Sequence, residues 1–393
     1  MFKKVQISNY KSILDLNMQL GDFTLLIGAN GCGKSNILEA ITLAAAASTQ
    51  KLDYEYFANR GMRVVQPKLM FPAFPDVETE EINIKLWKSD ESIVQFALHY
   101  ESEAKPPRWE NKSNLTLAPI KIVAKNGKEK ITDAEFNFLL YSAIKNFKPS
   151  KSTLSISAED IEKIRKGLVF SIGKSDLNSF LIYSLEETKL RAADNDNRIF
   201  PLGRNGEGLF AYLKVLAQRE DGKNIIDEIK ENLQVLDWFK DMTIPENQLS
   251  NEFLINLKDY YMSESIKDFN QKSTNEGFLY LLFYLTLIIS DETPSFFAID
   301  NIDSAFNPKM CREVTKHMIQ LARKHHKQII ATTHNPAVLD GLNLYEDGIG
   351  LNVVRRTIDG DTRVSRVKPK EELNIPLSEA WMKGYIGGLP DNF

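Results

Sequence analysis

Alternating hydrophobic and polar residues open the chain. Residues 2–9 and 13–18 place an apolar side chain at nearly every second position, as in strands with one buried face. A continuous apolar run over 23–27 predicts a fully buried strand, and the apolar spacing over 36–44 predicts a helix. The start of the chain therefore predicts two half-buried strands, one buried strand and one helix, in that order.

The middle of the chain is less regular. Residues 45–75 are weakly periodic, contain three prolines and predict an irregular connection. Asn126-Gly127 predicts a hairpin turn. Strand-like patterns cover 81–87, 92–100, 120–125 and 181–183. Helical spacing covers 133–150, 158–168, 209–219, 223–240 and 249–268.

The last third alternates helices with apolar strands. An apolar helix is predicted over 278–290, and a buried strand over 295–300 follows it. A helix over 309–326 and a second strand over 328–334 come next. This strand–helix–strand spacing predicts a parallel crossover unit, in which the carboxyl ends of both strands reach the same edge of a sheet.

The loop between the strand at 23–27 and the helix at 36–44 reads Gly-Ala-Asn-Gly-Cys-Gly-Lys-Ser over residues 28–35. This is the phosphate-binding pattern G-x-x-x-x-G-K-S in its required strand–loop–helix setting. Glycines let consecutive N–H groups point at one anion, Lys34 can reach the β- and γ-phosphates, and the Ser35 hydroxyl can bind Mg²⁺. The sequence therefore predicts a nucleotide site.

A carboxylate at the end of an apolar strand supplies the metal partner that such a loop needs. Asp300 ends the predicted strand at 295–300 and should emerge beside the phosphates. The next strand ends in Thr332-Thr333-His334, which places a histidine at the same edge.

Composition narrows the classes of protein. The chain has 393 residues and a net charge of -4, so it is not a globally basic nucleic-acid binder, although a local basic face stays open. Its two cysteines, Cys32 and Cys311, argue against a disulfide framework and fit a reducing cytoplasm. No apolar run reaches the ~18 residues of a membrane span.

Four segments together carry a family resemblance: 28–35, 273–277, 296–303 and 331–336. They resemble the ABC-type ATPase head of the RecF/SMC group, and more closely the compact AAA-type ATPases related to the OLD-nuclease ATPase domain. The resemblance implies an α/β P-loop ATPase head with an inserted helical lid and a small antiparallel sheet.

The resemblance also implies a head that is split along the chain. Residues 1–50 would form its N-terminal half, and 51–200 would be an inserted β-rich and helical segment that partly completes it. A helical lid would cover 201–270, and 271–393 would form the C-terminal half.

The same resemblance implies roles for the matching residues. Ser35 and Asp300 would hold Mg²⁺, and His334 would sense the γ-phosphate. Asn275-Glu276-Gly277 would contact ATP bound to the opposite subunit, which implies an ATP-sandwiched dimer or a higher even-numbered oligomer. ATP would be held by the loop residues Asn30, Gly31, Cys32, Gly33, Lys34, Ser35 and Asn36.

Two departures from the family pattern affect catalysis. Asn301 stands where the family has a glutamate that orients water, and an amide is a poor general base. Asp303 is the candidate replacement. Asn275 stands at the signature serine position. The expected catalytic set is therefore Lys34, Asp300, Asn301, Asp303 and His334, with hydrolysis that is slow or triggered by a partner.

Several charged groups allow two interpretations. Arg191, Arg198 and Arg204 could contact phosphate or DNA, or could bind surface partners. The lysines over 121–130 form either a solvated face or a nucleic-acid edge. His325-His326 indicates a solvated basic helix end rather than a metal site. No second acidic cluster with metal spacing is visible, so nuclease activity would belong to another chain.

The function expected from this reasoning is a cytoplasmic Mg-ATP-dependent conformational switch. Resemblance to ATPases of bacterial anti-phage systems implies a sensor or regulatory subunit that controls a separate effector nuclease. The first alternative is a RecF-like DNA-repair ATPase with salt-sensitive DNA binding. The second alternative is a non-hydrolysing, nucleotide-dependent scaffold, for which Asn301 is the indication.

Overall fold

The computed structural model describes most of the chain, and every structural statement below concerns that part. The described ranges are 1–75, 77–112, 176–192, 201–245, 255–263, 268–368 and 375–389. The hairpin predicted at 123–130, the strand at 120–125, the helices at 133–150 and 158–168, and Arg198 lie outside these ranges.

Fourteen strands and eight α-helices make up the described fold. The strands are β1 Phe2–Tyr10, β2 Ile13–Gln19, β3 Phe23–Ile27, β4 Glu81–Lys88, β5 Ile93–Glu101, β6 Arg108–Asn111, β7 Ile182–Tyr183, β8 Phe239–Thr243, β9 Asn256–Asp259, β10 Phe269–Asn270, β11 Phe296–Ile299, β12 Gln328–Thr332, β13 Ile349–Arg356 and β14 Thr362–Arg366. The helices are α1 Lys34–Ser48, α2 Tyr54–Asn59, α3 Glu187–Arg191, α4 Leu209–Ala217, α5 Glu220–Leu233, α6 Glu276–Ile289, α7 Pro308–Lys324 and α8 Leu377–Met382.

The central sheet has the order β14-β13-β3-β12-β11-β7. Strands β13, β3, β12, β11 and β7 run parallel, and β14 pairs antiparallel with β13 at the edge. Every residue of β3, β11 and β12 is buried. A parallel sheet covered on both faces explains why these strands are continuous apolar runs rather than alternating ones.

A second, antiparallel sheet has the order β2-β1-β4-β5-β6. Helix α1 lies in the core between this sheet and one face of the central sheet. Its alanines at 44–47 are all buried, and such small side chains let the sheets pack closely against the helix. Because β4 pairs with β1, the chain after α1 extends the sheet that the first two strands begin.

The other face of the central sheet is covered by helices α4, α5, α6 and α7. All residues of α6 from Phe278 to Ile289 are buried. A helix that is apolar on every side belongs in the middle of such a layer. The apolar helix predicted over 278–290 is therefore confirmed, and it lies in the protein core.

The predicted helix over 249–268 is wrong where the structure describes it. Asn256–Asp259 forms β9, which pairs with β8 and β10 in a three-stranded antiparallel sheet. The helix predicted over 223–240 ends at Leu233, and a strand begins at Phe239. These strands are short and owe their stability to cross-strand partners such as Met242 opposite Leu257. The region 201–270 is therefore not an all-helical lid.

Smaller differences concern the connections. The irregular connection expected over 45–75 includes the end of α1, the short helix α2 and a 3-10 turn at Pro67–Met70. Strand β6 was not expected. Among the described residues, no helix is long and apolar enough to cross a bilayer.

Lys327 ties the start of β12 to the end of α6. Only 3% of the residue is exposed. Its Nζ donates hydrogen bonds to the Ser290 carbonyl at 2.7 Å, the Thr293 carbonyl at 3.0 Å and the Thr293 hydroxyl at 2.8 Å. Burial lowers the pKa of Lys327 to about 8. Removing the ammonium takes a hydrogen-bond donor away from each of these buried oxygens.

We therefore expect Lys327→Met to lower the free energy of unfolding by about 3 kcal/mol, since several buried acceptors would each lose a donor. Lys324→Met is the matched control, because Lys324 is exposed and forms only a surface ion pair with Glu228. That control should cost less than ~1 kcal/mol. Urea titration measures both losses, and equal losses would contradict a structural role for Lys327.

Candidate functional site

The phosphate loop joins β3 to α1 through glycines that adopt left-handed backbone conformations. Gly28, Gly31 and Gly33 have φ of 149°, 75° and 108°. An ideal Cβ on Gly33 would lie 2.3 Å from the Thr362 hydroxyl oxygen, so only glycine fits there. A Cβ on Gly31 would meet nothing within 4 Å. The loop is therefore held firmly on one side and open on the other.

The N-terminus of α1 is suited to an anion. The helix is 15 residues long, its N-cap Gly33 has no capping side chain, and its first turn contains no acidic residue. Its free N–H groups and partial positive charge therefore favour a phosphate. The Lys34 Nζ donates to the Gly28 carbonyl at 2.7 Å and the Ala29 carbonyl at 3.1 Å, and burial lowers the pKa of Lys34. These residues fit ATP.

Two threonines at the end of β12 hold the acidic loop that follows β11. The Thr332 hydroxyl donates to Asp300 Oδ1 at 2.5 Å and accepts from the Asn301 N–H at 2.9 Å. The Thr333 hydroxyl donates to Asp303 Oδ1 at 2.6 Å. Both threonines are fully buried. They are supports that the sequence identified only as neighbours of His334.

The acidic loop turns sharply at Asn301. This residue is exposed and has a φ of 56°, a left-handed conformation that asparagine tolerates better than most residues. The turn brings Asp303 back toward Thr333. A second carboxylate therefore follows Asp300 at the same edge of the sheet.

His334 follows β12 and shares this edge. Partial burial and the nearby Lys34 ammonium lower the pKa of His334, while Asp303 and Asp300 act in the opposite direction. The structure thus brings together Lys34, Asp300, Asp303 and His334, which the sequence predicts to meet from three separate segments. The roles of these residues remain predictions.

The signature segment lies at the start of α6. Asn275 is the N-cap, and its Oδ1 accepts the Phe278 N–H at 2.8 Å. A Cβ on Gly277 would come within 3.1 Å of the Ala305 carbonyl, so this turn packs closely against the chain that follows Asp303. Asn275 is exposed.

A hydrogen-bonded chain supports the phosphate loop from behind. The Thr362 hydroxyl donates to the Cys32 carbonyl at 3.0 Å and lies 2.7 Å from the Ser12 hydroxyl. The Asn36 amide donates to that serine at 2.7 Å, and its oxygen accepts from Arg63 at 2.9 Å. Because the Asn36 side chain makes these two hydrogen bonds, the backbone N–H is the group of Asn36 that is left to bind a phosphate.

Beneath this chain lies a buried carboxylate, Glu39, which is 1% exposed. Lys11 Nζ and Arg63 Nε reach it at 2.5 and 2.6 Å. Desolvation of a charge is costly unless it is paired, and here two cations share one acid. The Lys11–Glu39 ion pair fixes the first turns of α1 to the loop between β1 and β2, and the Arg63–Glu39 ion pair fixes them to the segment after α2.

Two of the charged side chains with open interpretations form hydrogen bonds within the described structure. Arg191 donates to backbone carbonyls at 271–274 rather than facing solvent. His325 Nε2 lies 2.7 Å from Glu228 Oε1, which fits the basic helix end that the sequence predicted.

The C-terminal segment reaches the phosphate loop. A Cβ on Gly388 would lie 2.7 Å from Val353 Cγ1 and 3.6 Å from Gly28 Cα. Gly388 therefore packs against the first glycine of the loop, a contact between distant segments that no local pattern indicates.

Comparison with known proteins gives a family match over most of this chain. The family model AAA_21, described as "AAA domain, putative AbiEii toxin, Type IV TA system", matches residues 23–340. A stretch of 43 residues is 42% identical to an OLD nuclease of Thermus scotoductus. That stretch is 11% of this chain and spans only 8% of the length of that relative.

Among solved structures, this chain is similar to heads of SMC proteins. An SMC head bound to the C-winged helix domain of ScpA is similar with a TM-score of 0.54 and 16% identity, over 93% of this chain and 98% of that chain. The SMC head domain from Thermotoga maritima is 14% identical with a TM-score of 0.46, over 94% and 99% of the two chains. The first likeness confirms the ABC-type P-loop ATPase fold.

The contact between Gly388 and Gly28 can be tested against a neighbouring glycine. Gly387 and Gly388 have similar φ values of 76° and 84°, but only Gly388 would place a Cβ against other atoms. Alanine at either position should cost about 1 kcal/mol of backbone strain. Only Gly388→Ala should weaken ATP binding, on the order of fivefold, because its Cβ would lie 2.7 Å from Val353 Cγ1 and displace that side chain, whose residue pairs with Ile27 directly before the phosphate loop.

Titration with a fluorescent ATP analogue and thermal unfolding measure the two effects separately. Equal ATP affinities for the Gly387→Ala and Gly388→Ala variants would show that this contact does not shape the loop.

Proposed function

The chain belongs to the AAA_21 family and is an ATPase of the AAA/SMC-like class, and we propose that it acts as an ATP-dependent conformational switch. The observation that carries this proposal is the meeting of Lys34, Asp300, Asp303 and His334 at the carboxyl edge of the central sheet. These groups come from three separate segments of the chain, and each would have a distinct task in phosphoryl transfer.

Binding of ATP rests on the phosphate loop and the N-terminus of α1. Lys34 would exchange its two carbonyl partners for phosphate oxygens, which are stronger acceptors. Ser35 and Asp300 would hold Mg²⁺. Among the described residues, no group of three or more His, Cys, Asp or Glu side chains could hold a metal. The remaining Mg²⁺ ligands would therefore be phosphate and water, as is usual for this ion.

Hydrolysis would depend on Asp303 rather than on Asn301. In the proposed step, water attacks the γ-phosphorus, its proton passes to the Asp303 carboxylate, and the bond to ADP breaks. Thr333 holds Asp303 by one hydrogen bond, which leaves the second carboxylate oxygen available. Because Asp303 lies two residues beyond the family position of the base, slow or partner-triggered turnover is expected.

His334 would act in its neutral form. Its lowered pKa keeps the imidazole uncharged at neutral pH, and a neutral ring can donate one hydrogen bond to the γ-phosphate. The two neighbouring carboxylates limit how far the pKa falls. The histidine could thus report whether the γ-phosphate is present.

The signature segment supports a site shared by two subunits. Asn275 lies exposed at the N-terminus of α6, where it could meet ATP bound by another subunit. We propose that two copies sandwich two ATP molecules, each completing the other's site, in a dimer or a higher even-numbered oligomer.

The biological setting proposed is bacterial anti-phage defence in the cytoplasm. The family description names an AbiEii toxin and a type IV TA system, and the short match to an OLD nuclease points to a related ATPase. In this proposal the switch holds or releases a separate effector nuclease. The alternative function, DNA binding, is tested in the ATPase assay below by adding DNA.

A non-hydrolysing scaffold is the second candidate, and Asn301 favours it. An amide at that position cannot accept a proton at neutral pH. A scaffold would bind ATP and dimerise without turnover.

We expect Lys34→Ala to abolish ATP turnover and Asp303→Asn to lower it on the order of 100-fold, as loss of a general base does. Asp227→Asn is the matched control, because Asp227 is an exposed carboxylate on α5 outside the site. Phosphate release measures turnover, and native mass with and without ATP measures assembly.

The outcomes separate the candidates. Turnover with an ATP-dependent doubling of mass supports the switch, and doubling without turnover supports the scaffold. Turnover that rises with added DNA, and does so less at high salt, would favour the RecF-like alternative. A protein that binds no ATP overturns the proposal.

The pH dependence of turnover should follow His334. Since its folded pKa lies below the ordinary value of 6.5, the ring is neutral at pH 7 and gains a proton only as the pH falls through that lowered value. Turnover should therefore fall on the acid side below pH 6.5. A pH–rate profile of His334→Gln, which stays neutral, should lack that fall. An unchanged acid limb in this variant would assign it to another group.

A further inference from the structure

Arg191 ends helix α3 and reaches the loop that leads into the signature segment. Its guanidinium donates to the Gln271 carbonyl at 2.8 Å, the Thr274 carbonyl at 2.9 Å and, more weakly, the Lys272 carbonyl at 3.3 Å. These contacts span about 80 residues of sequence. One side chain thus gathers the backbone of residues 271–274, which we call the signature loop.

The signature loop is buried where Arg191 binds it. Gln271 is fully buried and Thr274 is 5% exposed. The Gln271 side chain is itself used, since its Oε1 accepts the Ile255 N–H at 3.1 Å. Buried carbonyls without donors are costly, so the guanidinium decides the shape of this loop. Thr274 directly precedes Asn275, the N-cap of α6.

Helix α3, which carries Arg191, is anchored to neighbouring segments. Leu190 is fully buried, and a Cβ on Gly206 would lie 2.6 Å from Leu190 Cγ. The Glu186 N–H donates to the Asn205 carbonyl at 2.9 Å, and the Tyr280 hydroxyl on α6 donates to the Leu185 carbonyl at 2.9 Å. The segment is therefore fixed both to the turn at 203–207 and to α6.

We propose that Arg191 is a positioning residue for the signature segment: it holds the signature loop so that Asn275–Gly277 is presented to ATP bound by the partner subunit. This inference rests on the proposed shared site. Arg191 acts through the loop and does not touch the nucleotide. It therefore sets assembly and turnover, while the affinity of a single subunit for ATP is set by the phosphate loop.

A simpler role for Arg191 is to stabilise α3. Its guanidinium also pairs with Glu187 one turn earlier, at 2.7 Å. Exposed i,i+4 pairs contribute only about 0.3–0.5 kcal/mol. The two roles make different demands, because the ion pair needs only charge whereas the loop needs several donors in one plane.

Three variants separate these roles. Arg191→Ala removes both the pair and the carbonyl contacts. Arg191→Lys keeps the charge but replaces the planar fork with a point charge. Glu187→Gln removes only the charge of the ion pair. It serves as the matched control because Glu187 is exposed and is not part of the phosphate loop, the acidic loop or the signature segment.

The first measurement is assembly with ATP. We expect Arg191→Ala to raise the protein concentration needed for half-maximal ATP-dependent dimerisation on the order of tenfold and to lower turnover in proportion. Arg191→Lys should fall between Arg191→Ala and the wild type. Glu187→Gln should match the wild type. Affinity for a fluorescent ATP analogue, measured at protein concentrations where the chain is monomeric, should be the same in all four proteins.

The second measurement does not depend on nucleotide. Amide hydrogen exchange over residues 271–278 should be faster in Arg191→Ala than in wild type or Glu187→Gln, because the loop has lost its donors. Unchanged exchange would overturn the claim that Arg191 holds the loop.

Failure of this inference and failure of the proposed function are distinguishable. If wild type dimerises with ATP and Arg191→Ala does so equally well, the positioning role is overturned and the shared site stands. The same holds if Glu187→Gln loses as much as Arg191→Ala. If wild type binds ATP but never dimerises, the shared site itself is overturned and the role of Arg191 falls with it.

Discussion

The register of three buried parallel strands is the constraint on which the site depends. Ile299 of β11 lies opposite Ala331 of β12, and Thr332 lies opposite Leu26 of β3. Because each strand is buried on both faces, a slip would expose apolar side chains and unpair the backbone. This register alone places the phosphate loop, the acidic loop and the histidine strand at one edge.

Around that edge, buried polar side chains set the position of the groups to which we assign chemical roles. Thr332 and Thr333 hold the two carboxylates, and Thr362 holds the phosphate loop through the Cys32 carbonyl. A threonine is well suited to this work, since its hydroxyl both donates and accepts while its methyl group packs in the core. In our proposal Arg191 has the same kind of role, because it holds the backbone of a whole loop rather than a single side chain.

The sequence predicts correctly those elements whose periodicity or motif lies within one short stretch of the chain. The phosphate loop, strands β1 to β5, and the buried helix α6 each have a period or motif within one short window, and the structure confirms them as elements. Strands β9 and β10 depend on pairing with each other and with β8, and on the packing of Leu257 in the core, so the local pattern over 249–268 predicts a helix instead. The contact between Arg191 and the signature loop, and that between Thr362 and Cys32, join residues far apart in sequence, so no periodicity could reveal them.

The place of β3 in the central sheet has a consequence for biosynthesis. Both neighbours of this strand, β12 and β13, are made about 300 residues after it. At synthesis rates of about 5–20 residues per second, an apolar edge would wait roughly 15 to 60 s for its partners. Nascent chains of this protein would therefore need shielding from aggregation, and a truncated product would have no nucleotide site to stabilise it.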